Sequence, residues 1–547
     1  MGHPDLGALV PPPYMAMPSV LLLALVTATI PIHAMGLTHD GRDSEYEAPM
    51  GIGQANSIGG LKLALTQSFL DYAVSVAKPT ALEFLKEFAF PDPLVKGDDY
   101  TCSWSIGGLK LSNVDADLAL TLVSPGSLSV SISNLQLSLS ATVQAREDVW
   151  PNPSLSIGVA GDADGSSARA TVAVQTDGRG VPSLSMSDCS PHVVANNIHV
   201  TGGLIWPFDQ LGDLLIGNFK DSIIGSLGPM ICNTGIRDTL LNIFLNPFLT
   251  SWSYLIPIPF PAPYDRAVLD YHLSGTPSVV SLGYLEAAAH ARVDVNGVKS
   301  LSPMPVMPSL TSAQIGTHMI TAQLSPYVLN TAFWGFFQQH LVGTTITKAM
   351  VPQALQFLFN TDAFPLLPKL QKAYPHSEML VNLSATSIPT VSIAVSGVTA
   401  TLDAKATFLV APSATRGAPL PAFDLRAPAL KATVKIGATG GDSPAITGSI
   451  GTVNLELKAG SSSFGDLGPA VIAFLSKPLN EVLNSVAIPL VNDVIKSGIP
   501  IPNIDQTVDG YHIKVAIANP EISPQDGFAL VGTDVSASIT PAATSIA

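Results

Sequence analysis

Covalent chemistry on an apolar substrate needs a nucleophile held on a tight turn, and this chain offers none. No Gly-x-Ser-x-Gly pentapeptide occurs, so the strand-to-helix turn that exposes an esterase serine is missing. The nearest runs, Gly165-Ser166-Ser167 and Gly460-Ser461-Ser462-Ser463, read as loops. The 11 histidines form no His-x-x-x-His pair and the 3 cysteines no Cys-x-x-Cys pair, so zinc-ligand spacing is absent. Asp162-Ala163-Asp164-Gly165 opens like a calcium loop but lacks the closing glutamate, and reads as a turn. No glycine-rich phosphate loop ends in Lys-Ser or Lys-Thr. The expectation is a chain that is not an enzyme and holds no cofactor or metal. Asn382-Leu383-Ser384 is the only glycosylation sequon, which makes Asn382 a candidate acceptor if the chain is exported.

Composition points to apolar surface kept for something other than the chain itself. The 547 residues exceed what one core usually serves, so two or more domains are expected. Hydrophobic residues make up 47% and charged residues only 12%, against about a quarter in an ordinary globular chain. The longest apolar run, Val20–Ile30, is too short to span a bilayer. It reads as the core of a secretory signal, residues 1–34, cleaved after Ala34; a start at Met17 would shorten it, and a disordered apolar leader is the alternative. Three cysteines allow one bridge and one free thiol, which fits export to the extracellular space. A net charge of −15 argues against a nucleic-acid partner.

Residues 35–55 read as a flexible acidic lead-in. Leu61, Leu63 and Leu65 then alternate as a short strand, and Phe69 to Phe88 recur at helical steps, with Pro79 expected to kink that helix or start its second half. In Ser127–Val143 the apolar phase flips after Ser133-Asn134, which reads as one long strand bent by a bulge. Asp162–Gly165 and Asp177-Gly178 supply turns, and a second helical stretch covers about 204–231. The later half repeats the plan. Residues 324–359 read mainly as helix; Val391-Ser392-Ile393 starts an alternation whose phase flips at Ser396-Gly397 and continues to Val410; residues 467–495 read as helix. Such a repeat implies an internal duplication. The Pro-rich run 301–310 is expected as a linker between a barrel at 56–300 and another at 311–547, with 264–298 and the final strands sharing a joining sheet.

A bent sheet closed by an apolar helix makes a tube, and small residues on its inward phase, Ala141, Ala400, Ala404 and Ala406, leave volume inside. An apolar volume suits acyl chains, each buried methylene contributing ~0.8 kcal/mol. A filled, purely structural core is the alternative.

Several segments resemble the family of bactericidal/permeability-increasing protein, lipopolysaccharide-binding protein and the plasma lipid-transfer proteins. They are Leu65–Ala73, Pro182–Cys189 with His199-Val200, Met230–Cys232, Leu324–Ala332, and the final strands from Pro500 to Val535. The resemblance implies an α+β fold: two elongated barrels, each a strongly bent antiparallel sheet wrapped with long helices, joined by a central sheet in a boomerang. It also implies a Cys189–Cys232 disulfide, worth roughly 4 kcal/mol in the chain-entropy model, and leaves Cys102 free. With helical phase, it implies one pocket lined by Leu65, Phe69, Val74, Leu214, Leu215 and Ile223, and another by Tyr327, Val328, Leu475, Leu479 and Leu483. The partner would be a phospholipid or similar amphipathic lipid, with transient contact with membranes or lipid particles. Lipopolysaccharide binding in innate immunity is a second reading. Against it, Gln144–Pro153 at the expected tip of the first barrel holds one base and two acids, where phosphate capture needs clustered donors. Trp150 in that stretch reads either as an interfacial anchor or as an ordinary loop residue.

Overall fold

The computed structural model describes residues 58–541 except 88–89, 91, 94, 100–101, 148–153, 202–211, 247–254, 259–261, 281–282, 412–417, 442–443, 497, 502–503 and 509–510. The leader, the acidic lead-in and Trp150 lie outside the described residues, as does the side chain of Cys102.

The spine of the first half is the strand Ser127–Glu147. It pairs along its length with Cys102–Val123. Its other edge is shared between Ser166–Thr176, which takes residues 127–135, and Ser154–Asp162, which takes residues 138–146. At the division Asn134 adopts φ 50°, in the left-handed region where Asn is tolerated. Leu128 and Val130 are buried before it, and Leu135, Leu137, Leu139, Ala141 and Val143 after it. The phase flip is therefore a bulge that bends the sheet. Asn134 Nδ2 donates to Asp117 Oδ2 at 2.8 Å, and this bond leads the causes holding the Asp117 carboxyl below its ordinary range. Lys78 of the first helix reaches Asp115 and Asp117 at 3.7 and 3.6 Å, pinning the helix at the bend.

The similar flip in the second half has a different cause. Thr390–Ala394 and Gly397–Ala411 are two antiparallel strands, with Ile393 opposite Val398 and Val395-Ser396 as the turn. A two-residue hairpin and a one-residue bulge both shift side-chain parity by one, so alternation alone does not separate them. The expectation of one bent strand from Val391 to Val410 is corrected. Residues 324–359 are also not mainly helix. The helix is Tyr327–Gln338, followed by the strand Gly343–Ile346 and the 3₁₀ segments Lys348–Met350 and Gln353–Phe359. Gly343, β-branched Thr344 and Thr345, and Pro352 break the helical rule that the apolar spacing implies.

The helices otherwise stand near their expected places. Gln67–Glu87 is one helix running through Pro79, with Thr66 Oγ1 accepting from Phe69 N at 3.4 Å at its start. The second helix, Gly212–Pro229, extends beyond the expected end as a π-helix to Leu245. The last rod comprises Pro469–Val482, a π turn Leu483–Ala487, and Ile488–Lys496.

A seven-stranded central sheet joins the halves. Leu61–Thr66 lies between Tyr284–Ala289 and Ile320–Leu324, and the latter pairs with Phe528–Pro541, next to Tyr511–Gln525. The first described strand is thus held by strands from the middle of the chain and bonded through them to strands near its end. The Pro-rich run is extended and clamped. Lys62 Nζ, buried, sits 3.2 Å from Glu286 and donates to the carbonyls of Met307 and Pro308 at 3.3 and 3.2 Å. The result is the α+β arrangement of two barrels on a central sheet that the resemblance implied.

Candidate functional site

Each half buries an apolar interior between helix and sheet. In the first, Leu65, Phe69 and Val74 meet Leu120, Leu128, Val172 and Leu184 of the strands and Ile236 and Leu241 of the π-helix. The three residues expected from the opening segment do come together. Leu214, Leu215 and Ile223 lie on the helix Gly212–Pro229, but their side chains fall outside the described residues. Beyond the bend a second cluster, including Ala141, Leu139, Val143 and Val159, fills the distal part of this half.

Cys189 and Cys232 are bonded, S–S 2.04 Å, tying the strand Pro182–His192 to the π-helix. Beside the bridge an open groove of about 440 Å³ is lined by Met186, Ser187, Cys189, Pro229, Cys232 and Arg237, among others.

The second half has an aromatic core at the end away from the central sheet. At its far end Phe364, Phe408 and Phe423 pack edge-on and stacked, with centroids 4.4 to 5.8 Å apart, against Leu475 and Leu479 of the last rod. Moving toward the central sheet on the same face, the strands carry Ala400, Leu402, Ala404, Leu430, Ala432, Val434 and Ile436, all only half-buried. The alternate residues Lys431, Thr433 and Lys435 are exposed, so the first set is the inward phase. Leu483 and Ile488 of the rod are likewise half-buried. Val471, Leu475, Leu479, Val482, Val486 and Ala487 of the rod are buried, while Phe474, Leu490 and Val491 are exposed. Small inward residues make a strip that the chain covers only in part, and Leu329 and Phe333 meet its end nearest the central sheet.

Tyr327, Val328, Leu475, Leu479 and Leu483 are not all brought together. Val328 packs with Ile256, Leu269 and Val293 on the small sheet of Leu255–Pro257, Ala267–Asp270 and Arg292–Val295. Tyr327 donates to Ser302 O at 3.5 Å. The other side of the same helix, Leu329 and Phe333, meets Val398, Ala400, Val434 and Ile436. One step of helical phase separates the two sets, and it follows from the small sheet, which the periodicity does not reveal. Asn382 is exposed on the strand Glu378–Ala385, opposite Thr345 and Thr407.

Asparagines not singled out from the sequence close these tubes. On the last rod Asn484 accepts from Val453 N and donates to Val453 O, both at 2.8 Å; Asn492 does the same for Ile450 at 2.7 and 3.0 Å, and Asn480 accepts from Leu455 N at 3.0 Å. The helix has no free backbone groups, so side-chain amides supply the sheet-like edge that the extended segment 450–455 needs. At about 100° per residue, Asn492 would fall about 80° off the line of Asn484; the wider π turn between them takes up part of that angle. Asn246 bridges Leu184 and Asn330 bridges Val391 in the same two-bonded way. The readable signal was Asn at i, i+4 on an apolar helix, where it is otherwise unfavourable.

Comparison with known proteins places these features. The N-terminal domain description of the LBP / BPI / CETP family matches residues 62–242, and its C-terminal domain description matches residues 265–537. A bactericidal permeability-increasing protein of Sebastes schlegelii is 23% identical over 87% of this chain and 95% of its own length. A lipopolysaccharide-binding protein of Homo sapiens is 23% identical over 89% of this chain and 92% of its own. The crystal structure of a lipopolysaccharide binding protein aligns with a TM-score of 0.52 at 18% identity, covering 88% of this chain and 99% of that one. With both domain descriptions matched across most of its length, this chain belongs to the LBP / BPI / CETP family.

Proposed function

We propose that this protein is secreted and carries phospholipid-like amphipathic lipids in two apolar sites, one in each half, without reacting them. The observation that carries the reading is the half-buried inward strip of the second half, from Ala400 to Ala404 and Leu430 to Ile436, beside the half-buried Leu483 and Ile488 of the last rod. Apolar surface on the inside of a tube is stabilised by a ligand that covers it, at roughly 25 cal/mol per Å². Relatives named for lipopolysaccharide binding make that acylated glycolipid a candidate cargo too, and its acyl chains would use the same strip.

The test is a plug. Ala432→Trp places a large ring in the strip, while Thr433→Trp places it on the exposed face of the same strand. Organic extraction of both folded variants should show lipid reduced by about one molecule per chain in the first only. Equal lipid in the two would remove the strip from the binding site.

A further inference from the structure

The far end of the second half carries a surface that the lipid sites do not use. Residues 347–378 form a cap of short turns over the phenylalanine cluster. Its inner residues, Leu355, Leu358, Phe364 and Leu367, are buried. Thr361 locks it from within, donating to Tyr374 O at 2.6 Å and accepting from Ser377 N at 3.0 Å. On its outside, Met350 is 41% exposed, Phe357 47% and Leu366 49%, and Leu420 on the adjoining strand end is 47% exposed. Side chains this large are seldom left out by a cap that buries its other apolar residues so completely, and the locked turns give them no route inward.

Within residues 347–378 the sign of the charge balance differs from that of the chain. Lys348, Lys369 and Lys372 are exposed, and among the described residues no carboxylate lies within ion-pair distance of them. Of the two acids in 347–378, Asp362 is engaged by His376 Nδ1 at 2.8 Å, leaving Glu378. Three bases against two acids stand in a chain with 26 bases and 41 acids. Exposed Phe, Leu and Met interspersed with lysine is the chemistry that enters the boundary between headgroups and acyl chains while pairing with anionic headgroups.

We propose that this cap, through Met350, Phe357 and Leu366 with Lys348, Lys369 and Lys372, docks the protein on an anionic phospholipid surface. The proposal rests on the lipid-carrier reading only for its purpose, which is to bring one end of the carrier to a lipid source. Docking is measured by co-sedimentation with phosphatidylcholine vesicles with and without phosphatidylserine. The full-length protein should bind vesicles containing phosphatidylserine more tightly, and added salt should weaken that binding. The double variant Phe357→Ser/Leu366→Ser should bind about tenfold more weakly, from the loss of two half-inserted apolar side chains. Lys369→Glu/Lys372→Glu should abolish the preference for phosphatidylserine. Phe357→Trp, which keeps the apolar surface, should show blue-shifted fluorescence on vesicles. Unaltered vesicle binding in the double serine variant, or no fluorescence shift when the Phe357→Trp variant is bound to vesicles, overturns the proposal. Extracted lipid should be the same in all four proteins; a loss in the cap variants would assign these residues to a lipid site and overturn docking, whereas no lipid in any of them, with docking intact, would overturn only the carrier reading.

Discussion

Replacing Asn484 with leucine tests whether the last rod closes the second barrel as a stave. Asn484 supplies both hydrogen bonds of the Val453 backbone, each 2.8 Å, and Val453 is buried. Leucine keeps the size and suits the helix but offers no partner. Each orphaned backbone group costs about 1–3 kcal/mol, and the half-buried seam gives water partial access, so the pair should cost about 2–4 kcal/mol. As a local opening equilibrium that is about 30- to 700-fold. Amide hydrogen exchange reads it directly: Val453 should lose that much protection and Leu455 less, since Asn480 still accepts from Leu455 N. Amides in the strand Ser127–Glu147 should not change. Asn484→Asp sharpens the test. Its carboxylate still accepts from Val453 N but faces the carbonyls of Val453 and Asn480, to which Asn484 donates at 2.8 Å each. Protection should therefore be poor at neutral pH and recover in part below about pH 4, where the protonated acid donates again. Unchanged Val453 exchange in a folded Asn484→Leu variant would refute the stave.

Lys62→Met should strand the buried Glu286 carboxylate and destabilise the protein by about 3–5 kcal/mol, with Glu286→Leu added on top restoring much of the loss in a denaturation double-mutant cycle. Burial alone would raise the Asp270 carboxyl, but hydrogen bonds from His272 and His290 and their charges hold it far below its ordinary 3.8. A depressed folded value contributes stability above the unfolded pKa that is lost as pH falls, so Asp270→Asn should be destabilising at neutral pH and converge on the parent as pH drops below about 4 in thermal melts. Cys189→Ser should lower stability by roughly 4 kcal/mol in denaturant unfolding, because the bridge closes a separation of 43 residues.

Much of the architecture was legible because period and parity are local. The alternation in Ser127–Val143 and its slip at Asn134 mark the bend, since one face is buried on each side of it. The slip at Ser396-Gly397 has the same parity and a different origin; only the pairing of Ile393 with Val398, a tertiary fact, distinguishes hairpin from bulge. The candidate site was legible in part. Phe69 and Val74 follow from one helical stripe facing one sheet, and Leu65 from the alternation of the strand before it. The helix Tyr327–Gln338 instead has two buried sides, with Val328 on the small sheet and Leu329 and Phe333 on the barrel strip, and periodicity cannot rank two apolar faces. The asparagine seam was missed because its partner, segment 450–455, looks like an ordinary strand until one sees that a helix lies at its edge.

The central claim, that each half holds a lipid, is tested most directly by native mass spectrometry of the full-length protein with organic extraction. About two phospholipid-sized ligands per chain are expected, falling to about one in Ala432→Trp. A folded protein with Cys189 and Cys232 bridged that carries none, and takes up none when offered vesicles, would contradict it and leave two barrels filled by their own side chains.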